Sequence, residues 1–207
     1  MPEHTERLQR LDQALHEHGP AWRLPPVVEA LQALRGVPCT VAVTMVAEMG
    51  DLTRFDPPRE LMKGLGLLPS AYASGERRQQ GSITTAGNTP ARRALIEGAW
   101  AYRSPAKVSR HLHLRLAQHP KMIQDISGKA QGRLCTRYRQ LRARGTQANI
   151  VTVAMARELA GFMWAMAREV PVTPEDEKIA RLQPSTEKVP NGPRQRRRPG
   201  VVSPSAA

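Results

Sequence analysis

The sequence predicts a mostly α-helical protein, and three of its features lead to this expectation. Apolar residues recur three or four positions apart in several separate stretches, which is the spacing that lines one face of a helix. Glycine and proline stand at the ends of these stretches, where helices commonly stop and start. The most apolar stretch, 150–170, is interrupted by charged residues, which is typical of a buried helix and not of a membrane span.

Three parts are expected along the chain. Residues 1–20 carry leucines at helical spacing and end in Gly-Pro, which indicates a short helical stub of coiled-coil character. Residues 21–170 are expected to form one helical domain. Residues 171–207 hold 7 of the 18 prolines and almost no large apolar residues, so they are predicted to be a disordered, basic, proline-rich tail.

The helical domain is expected to open with two helices joined by a tight turn. The first begins at Pro25 and stops at Gly36, and the second follows Pro38 and stops at Gly50. The turn resembles that of a helix-hairpin-helix, in which backbone amides, here those of Gly36 and Val37, hold a DNA phosphate. An ordinary helical hairpin is the alternative, because such motifs usually have a second glycine where this chain has Pro38.

A long segment rich in serine, glycine and arginine comes next, after a short helix that begins at about Pro58. From Ser70 to Arg93 the apolar residues show no helical period, so this segment is predicted to be a long loop or a short irregular hairpin. Connections of this length inside compact domains are often functional.

The second half of the domain is predicted to be helical again. Two short helices between residues 90 and 118, a long one over 120–144 and an apolar one over 148–168 complete it. The long helix carries five arginines, among them Arg133 and Arg137. The methionines of the apolar helix are expected to pack in the core.

The charge of the chain indicates a polyanionic partner. Lysine and arginine number 31 against 18 aspartate and glutamate, a formal net charge of +13, of which +10 lies outside the predicted tail. Binding of such a surface to phosphates is favourable because it releases condensed counterions, so nucleic acid is the expected partner. Aromatic residues make up only 4% of the chain, too few for platforms that stack single-stranded bases. The nucleic acid is therefore expected to be held by its backbone.

Metal and cofactor sites are not expected in this chain. Its two cysteines lack CxxC spacing, which argues against a zinc module or disulfide scaffold and suits the reducing cytoplasm. Glu48 and Asp51 lie close in sequence to other carboxylates, but their place at a helix end makes capping a better explanation than magnesium binding. No phosphate-binding glycine loop of the known patterns is present.

Ser74 stands where the long segment could carry chemistry. A serine directly before a glycine, here Gly75, can project its hydroxyl from a tight turn. Arg77 and Arg78 follow at once and can brace a phosphate while charge develops on its oxygens. A hydroxyl nucleophile also needs a general base, and the neighbouring sequence offers no obvious one. On spacing alone, a structural Ser-Gly turn remains the alternative.

Several motifs together resemble one known family. AEMGDLTRF, LGLLPS, YASGERR, ITTAGN and ARRALIEGAW occur in the order found in insertion-sequence transposases of the IS110 group. These proteins have a RuvC-like N-terminal domain and a serine-bearing C-terminal domain, and the resemblance is to the latter, most specifically over residues 30–102. It implies that the long segment is the active loop and that Ser74 is the nucleophile of DNA strand exchange. Thr85 departs from the family, which often has lysine there.

The resemblance also implies partners for the site. In the family, acidic residues of the RuvC-like domain bind Mg²⁺, often across subunits, and some members are guided by a structured RNA that pairs with DNA. This chain is expected to lack that domain and to need it as a partner, or to act as a homo-oligomer. Arg77 and Arg78 are assigned to the scissile phosphate, Arg92 and Arg93 to the neighbouring backbone, and the helix with Arg133 and Arg137 to further DNA or guide RNA. The alternative is a non-catalytic nucleic-acid-binding remnant of an interrupted transposase gene.

Overall fold

The computed structural model describes residues 25–74 and 77–170, with the backbone alone for 71–74 and 77–80. The stub predicted at 1–20 and the tail predicted at 171–207 lie outside these residues. The expectation of a mostly α-helical domain is confirmed, and the helices and strands follow one another in this order: α1 Pro25–Leu31, α2 Cys39–Met49, α3 Pro58–Gly64, β1 Pro69–Ser74, β2 Arg77–Ile83, α4 Thr89–Ala99, α5 Arg110–Ala117, α6 Lys121–Ala143 and α7 Ala148–Arg168, with 3-10 turns at Leu52–Arg54 and Trp100–Arg103.

Helix α7 is the centre of the fold, because α1, α3, α4 and α6 all contact it. Its buried residues recur every three to four positions along the whole helix and are mostly adjacent pairs, so they cover about half of its circumference. The methionines predicted to pack, Met155, Met163 and Met166, are fully buried. The helix is long and apolar enough to suit a membrane span, but half of its apolar stretch is buried inside the protein. This burial supports its interpretation as a core helix.

Helix α1 is shorter than the sequence suggests, because the chain turns before Gly36. After Leu31 the backbone continues in turns, with the amide of Leu34 bonded to Leu31 O and that of Val37 to Leu34 O. Gly36 has a φ of 78°, and a Cβ on it would collide with the carbonyl oxygen of Gly98 in α4. Only a glycine fits this left-handed position at such a close approach. The turn is therefore shaped by its packing against α4.

The segment predicted as a long loop or irregular hairpin is a β-hairpin. Strands β1 and β2 pair antiparallel, with Ser74 opposite Arg77 and Pro69 opposite Ile83, and the register shifts between Pro69 and Ala71. The hairpin alternative is thus the correct one, including the irregularity. The sequence does not distinguish the two, because the strands are largely polar and lack the alternation of a half-buried strand.

The contact between Gly36 and Gly98 leads to a testable prediction. A Cβ on Gly98 would collide with Gly36 O, a backbone atom that cannot move aside. Gly98→Ala should therefore lower the free energy of unfolding by about 1–3 kcal/mol, measured by urea denaturation. Gly132→Ala in α6 is the matched control, since nothing lies within 4 Å of its Cβ position, and it should stabilise by up to about 1 kcal/mol. Equal effects at the two sites would contradict the close packing.

Candidate functional site

The hairpin is joined to the helices by two short segments that continue its pairing. The amide of Thr84 donates to Leu68 O at 2.9 Å, that of Thr85 to Gly66 O at 3.1 Å, and that of Asn88 to Gly64 O at 2.8 Å. We call residues 64–68 and 84–88 together the hairpin base. The base thus connects the end of α3 with the start of α4 and continues into the two strands.

The two segments of the base lie against each other more closely than side chains would allow. Gly66 has a φ of 66°, and a Cβ on it would lie 2.9 Å from both Ala86 O and Arg92 Nη1. A Cβ on Gly87 would collide with Gly64 O. Glycine is needed here because the backbones touch. This explains the glycine of LGLLPS, Gly66, and that of ITTAGN, Gly87, in structural terms.

Arg92 donates three hydrogen bonds within the hairpin base and the first turn of α4. Its Nη1 donates to Leu65 O at 3.0 Å and to Thr85 O at 3.1 Å, and its Nη2 donates to Thr89 Oγ1 at 3.1 Å. The side chain is half-buried, whereas that of Arg93 is exposed. The assignment of Arg92 to the DNA backbone therefore finds no support in this geometry, while Arg93 faces solvent and stays a predicted DNA contact.

Asn88 ties the base to α2 and begins α4. Its side-chain oxygen accepts a hydrogen bond from the amide of Ala91 at 2.9 Å, which caps the helix. Its Nδ2 donates to Glu48 Oε2 at 2.7 Å. The sequence reasoning did not single out Asn88, although an asparagine two residues before a proline is a recognisable helix-start signal.

Ser74 is the last residue of β1 and stands opposite Arg77, the first residue of β2. Arg78 is paired with Ala73 in the same register. Ser74 is thus at the end of the hairpin remote from the hairpin base, and two residues separate it from Arg77. The register therefore places Ser74 and Arg77 in one cross-strand pair and Arg78 in the next pair.

The turn predicted to hold a phosphate is occupied by packing. The amide of Val37 donates to Leu34 O at 3.2 Å, the side chain of Val37 is buried, and Gly36 lies against Gly98. An amide that is already bonded to its own chain cannot donate that bond to a phosphate. The structure therefore gives no support to a helix-hairpin-helix site at Gly36 and Val37.

Arg133 and Arg137 share one carboxylate. Arg133 Nε lies 2.9 Å from Glu158 Oε2, and Arg137 Nε lies 2.6 Å from Glu158 Oε1. The glutamate is only 14% exposed, whereas the arginines are 63% and 42% exposed. With Lys129, Gln140 and Arg144, the residue directly after the end of α6, they lie along one side of the helix and are exposed or half-exposed. We call these five residues the α6 basic face.

Other chemistries find little basis in the described residues. Across 25–74 and 77–170, no three histidine, cysteine or acidic side chains lie together in a way that could hold a metal ion. Asp51 accepts hydrogen bonds from the amide and hydroxyl of Thr53, so the capping interpretation is correct for it. Cys135 is buried and its thiol lies 3.5 Å from Ser104 O. Burial raises the pKa of the Cys135 thiol, which keeps it protonated and weakly nucleophilic.

Comparison with known proteins identifies a family. The sequence model of the transposase IS116/IS110/IS902 family matches residues 28–113. The chain is 46% identical to a putative transposase, y4qE, of Sinorhizobium fredii over 81% of this chain and 43% of that protein. It is 27% identical to a probable family 20 transposase of Pseudomonas aeruginosa over 77% of this chain and 40% of that protein. The transposase for insertion sequence element IS1111A of Coxiella burnetii is 33% identical over 35% of this chain and 20% of that protein. The chain thus spans less than half the length of these curated relatives.

The two roles of Asn88 can be separated by substitution. Asn88→Ala removes both the helix cap and the bond to Glu48, and should lower the free energy of unfolding by about 1–2 kcal/mol. Asn88→Ser keeps a capping hydroxyl but is too short to reach Glu48, so it should cost less than Asn88→Ala. Urea denaturation of both variants measures the difference. If Ser and Ala cost the same, the cap contributes nothing and the bond to Glu48 accounts for the loss.

Proposed function

The chain belongs to the IS116/IS110/IS902 family of transposases, and we propose that it supplies the serine nucleophile for DNA strand exchange. In this proposal Ser74 attacks a phosphodiester, assisted by Arg77 and Arg78. The observation that carries it is the register of the hairpin, which sets Ser74 directly opposite Arg77 within the family match at 28–113. The rest of the site, including any magnesium, is proposed to come from a RuvC-like domain.

The proposed step exchanges one phosphate ester for another. Ser74 Oγ forms a bond to phosphorus, the P–O bond to the leaving nucleotide breaks, and the leaving oxygen takes up a proton while the serine hydroxyl loses one to a base. The phosphoserine ester then reacts with a hydroxyl of another DNA strand, which restores the serine. The two arginines favour attack because their guanidinium groups stabilise the charge that builds on the phosphate oxygens.

A two-stranded arm suits such a reaction because it extends the nucleophile beyond the helical domain. From Pro69 to Ser74, β1 rises by about 17 Å at about 3.3 Å per residue. An arm of this length can reach a phosphate that lies in the site of another domain or another protomer. This supports the proposal that the base and metal are supplied by a partner.

Ser74→Ala tests the nucleophile. The chain would be combined with magnesium, DNA carrying the ends of its element, any guide RNA it requires, and the part of the Sinorhizobium fredii relative that the match does not cover. Covalent protein–DNA adducts, mapped by mass spectrometry, should form with the natural chain and disappear with Ser74→Ala, because the attacking oxygen is gone. The affinity for DNA should stay nearly unchanged, since a neutral hydroxyl contributes little beside many arginines.

Ser82→Ala is the matched control, because it removes a hydroxyl from the same hairpin and should leave the adduct intact. The chain without the partner should form neither adduct nor recombinant DNA. An adduct that survives Ser74→Ala, or one that maps to Ser70 or Ser82, would refute the assignment. If no adduct forms under any condition while DNA still binds, the chain is a binding module, which is the alternative function.

The α6 basic face is proposed as a second contact, to the backbone of DNA or guide RNA. Lys129, Arg133 and Arg137 are four residues apart on α6, so they recur about every 6 Å along the helix, close to the spacing of successive phosphates on one strand. Glu158 lies 2.9 Å from Nε of Arg133 and 2.6 Å from Nε of Arg137, while 63% and 42% of the two arginine side chains stay exposed. Glu158 thus orients the two arginines that it contacts.

The salt dependence of binding tests this face. Arg133→Gln with Arg137→Gln should weaken binding to unrelated duplexes and reduce the slope of log K against log salt concentration by about 1–2, because two phosphate contacts are lost. Arg59→Gln with Lys63→Gln removes the same charge from exposed positions of α3 and should change the slope by less. Equal changes in the two pairs would show that net charge, and not this face, determines affinity.

A further inference from the structure

Arg92 lies where the arm that carries Ser74 leaves the helical domain. Its guanidinium bonds to a carbonyl on each side of the hairpin base, Leu65 O and Thr85 O, and to Thr89 in the first turn of α4. One rigid planar group therefore joins the end of α3, the segment 84–88 of the hairpin base and the start of α4. We propose that Arg92 is a positioning residue that sets the direction of the hairpin and so holds Ser74 in its place for reaction; this rests on the proposed role of Ser74.

The donors of Arg92 are largely used within the chain. Both hydrogens of Nη1 have carbonyl acceptors, and Nη2 has the hydroxyl of Thr89. An arginine that releases these bonds to bind a phosphate would leave two backbone carbonyls unpaired, at a cost comparable to the free energy of the new phosphate bond. The exposed neighbour, Arg93, has no such commitment in the described structure and faces solvent. The two adjacent arginines therefore have different roles.

The backbone around Arg92 is shaped to receive the guanidinium. Thr85 has a φ of 51°, a left-handed conformation that is uncommon for a β-branched residue and persists only where its surroundings hold it. Its carbonyl oxygen accepts the bond from Arg92 Nη1. At Gly66, a Cβ would lie 2.9 Å from that same Nη1, so the glycine leaves the space that the guanidinium fills. Thr85 and Gly66 belong to the two opposite segments of the base, and both adjoin Nη1 of Arg92.

The hairpin depends on its base for direction. Strands β1 and β2 contact chiefly each other, and neither packs extensively on a described helix. A lone two-stranded hairpin is marginally stable, so its orientation must be fixed where it joins the helices. A rotation of about 10° at the base would move Ser74 by about 3 Å over an arm of about 17 Å. Displacement of about 1 Å can reduce a reaction rate by about 100-fold.

The test separates positioning from DNA binding. In the adduct assay with the partner domain, Arg92→Ala should lower the rate of adduct formation at saturating DNA by at least about tenfold, with the Kd for DNA changed by less than about threefold. Arg59→Ala, an exposed arginine of α3 with the same loss of charge, should change neither quantity. Millimolar guanidinium, compared with sodium chloride at equal concentration, should restore the rate of Arg92→Ala but not of Ser74→Ala.

Hydrogen exchange gives a readout that does not depend on activity. The amides of Thr84 and Thr85, bonded across the base, should exchange faster in Arg92→Ala, while the amides of α7 keep their protection. Arg92→Lys retains the charge but cannot bond to both carbonyls in the plane of a guanidinium, so it should show the same loss and provides a second variant if Arg92→Ala does not fold.

The outcomes are distinct for the two proposals. An adduct that survives Ser74→Ala refutes the nucleophile, whatever Arg92 does. If Ser74→Ala abolishes the adduct while Arg92→Ala and Arg92→Lys react at the natural rate, the positioning role is wrong. If the Kd rises by about tenfold or more while the saturating rate is unchanged, Arg92 is a phosphate contact and the inference is overturned.

Discussion

The packing of four helices against α7 is the constraint on which the rest of this fold depends. Helices α1, α3, α4 and α6 all pack against it, and its small residues set how closely they approach: a Cβ on Gly161 would lie 3.2 Å from Met62 Cε of α3. The two helices that flank the hairpin, α3 and α4, are thus both seated on α7. Because the hairpin leaves from the end of one and returns to the start of the other, the core fixes the position of its base.

The polar edge of α7 organises the surface of α6. Glu158 lies at this edge and contacts Arg133 and Arg137 from below, while the arginines stay largely exposed. Glu158 is largely buried while its two partners are not, so the pairs hold in place a carboxylate that would otherwise lie unpaired at the edge of the core. Their consequence is geometric, since one carboxylate restrains two long side chains that would otherwise sample many rotamers. For the phosphate contact proposed at this face, such restraint lowers the entropy lost on binding.

Two adjacent arginines of α4 lie in different surroundings. Arg92 and Arg93 are successive residues of α4, so they point about 100° apart around its axis. Arg92 turns toward the hairpin base and is bonded to three acceptors, whereas Arg93 faces solvent. The motif that contains both, ARRALIEGAW, therefore combines an arginine bonded within the fold with one that is exposed to solvent. The same motif supplies Gly98, whose missing side chain lets α4 approach the turn at Gly36.

The sequence by itself determined the features that depend on neighbours a few residues apart. The ends of α6 and α7, the stop of α2 before Gly50 and the packing of the α7 methionines follow from helical periodicity and from glycine and proline punctuation. The motifs that identify the family are equally local, and the order in which they occur is itself a property of the sequence.

Only the tertiary structure decided the features that join distant parts of the chain. The turn at Gly36 ends α1 early because Gly98 lies against it, and the amide of Val37 is bonded within that turn. Arg92 donates to Leu65 O, 27 residues away in the sequence, and Arg133 donates to Glu158, 25 residues away. The direction of the polar hairpin likewise depends on the hydrogen bonds of its base, which join residues 64–68 to residues 84–88. Local patterns cannot predict such contacts. An arginine has the same neighbours in sequence whether its partner is solvent, a phosphate or a backbone carbonyl that the fold brings close.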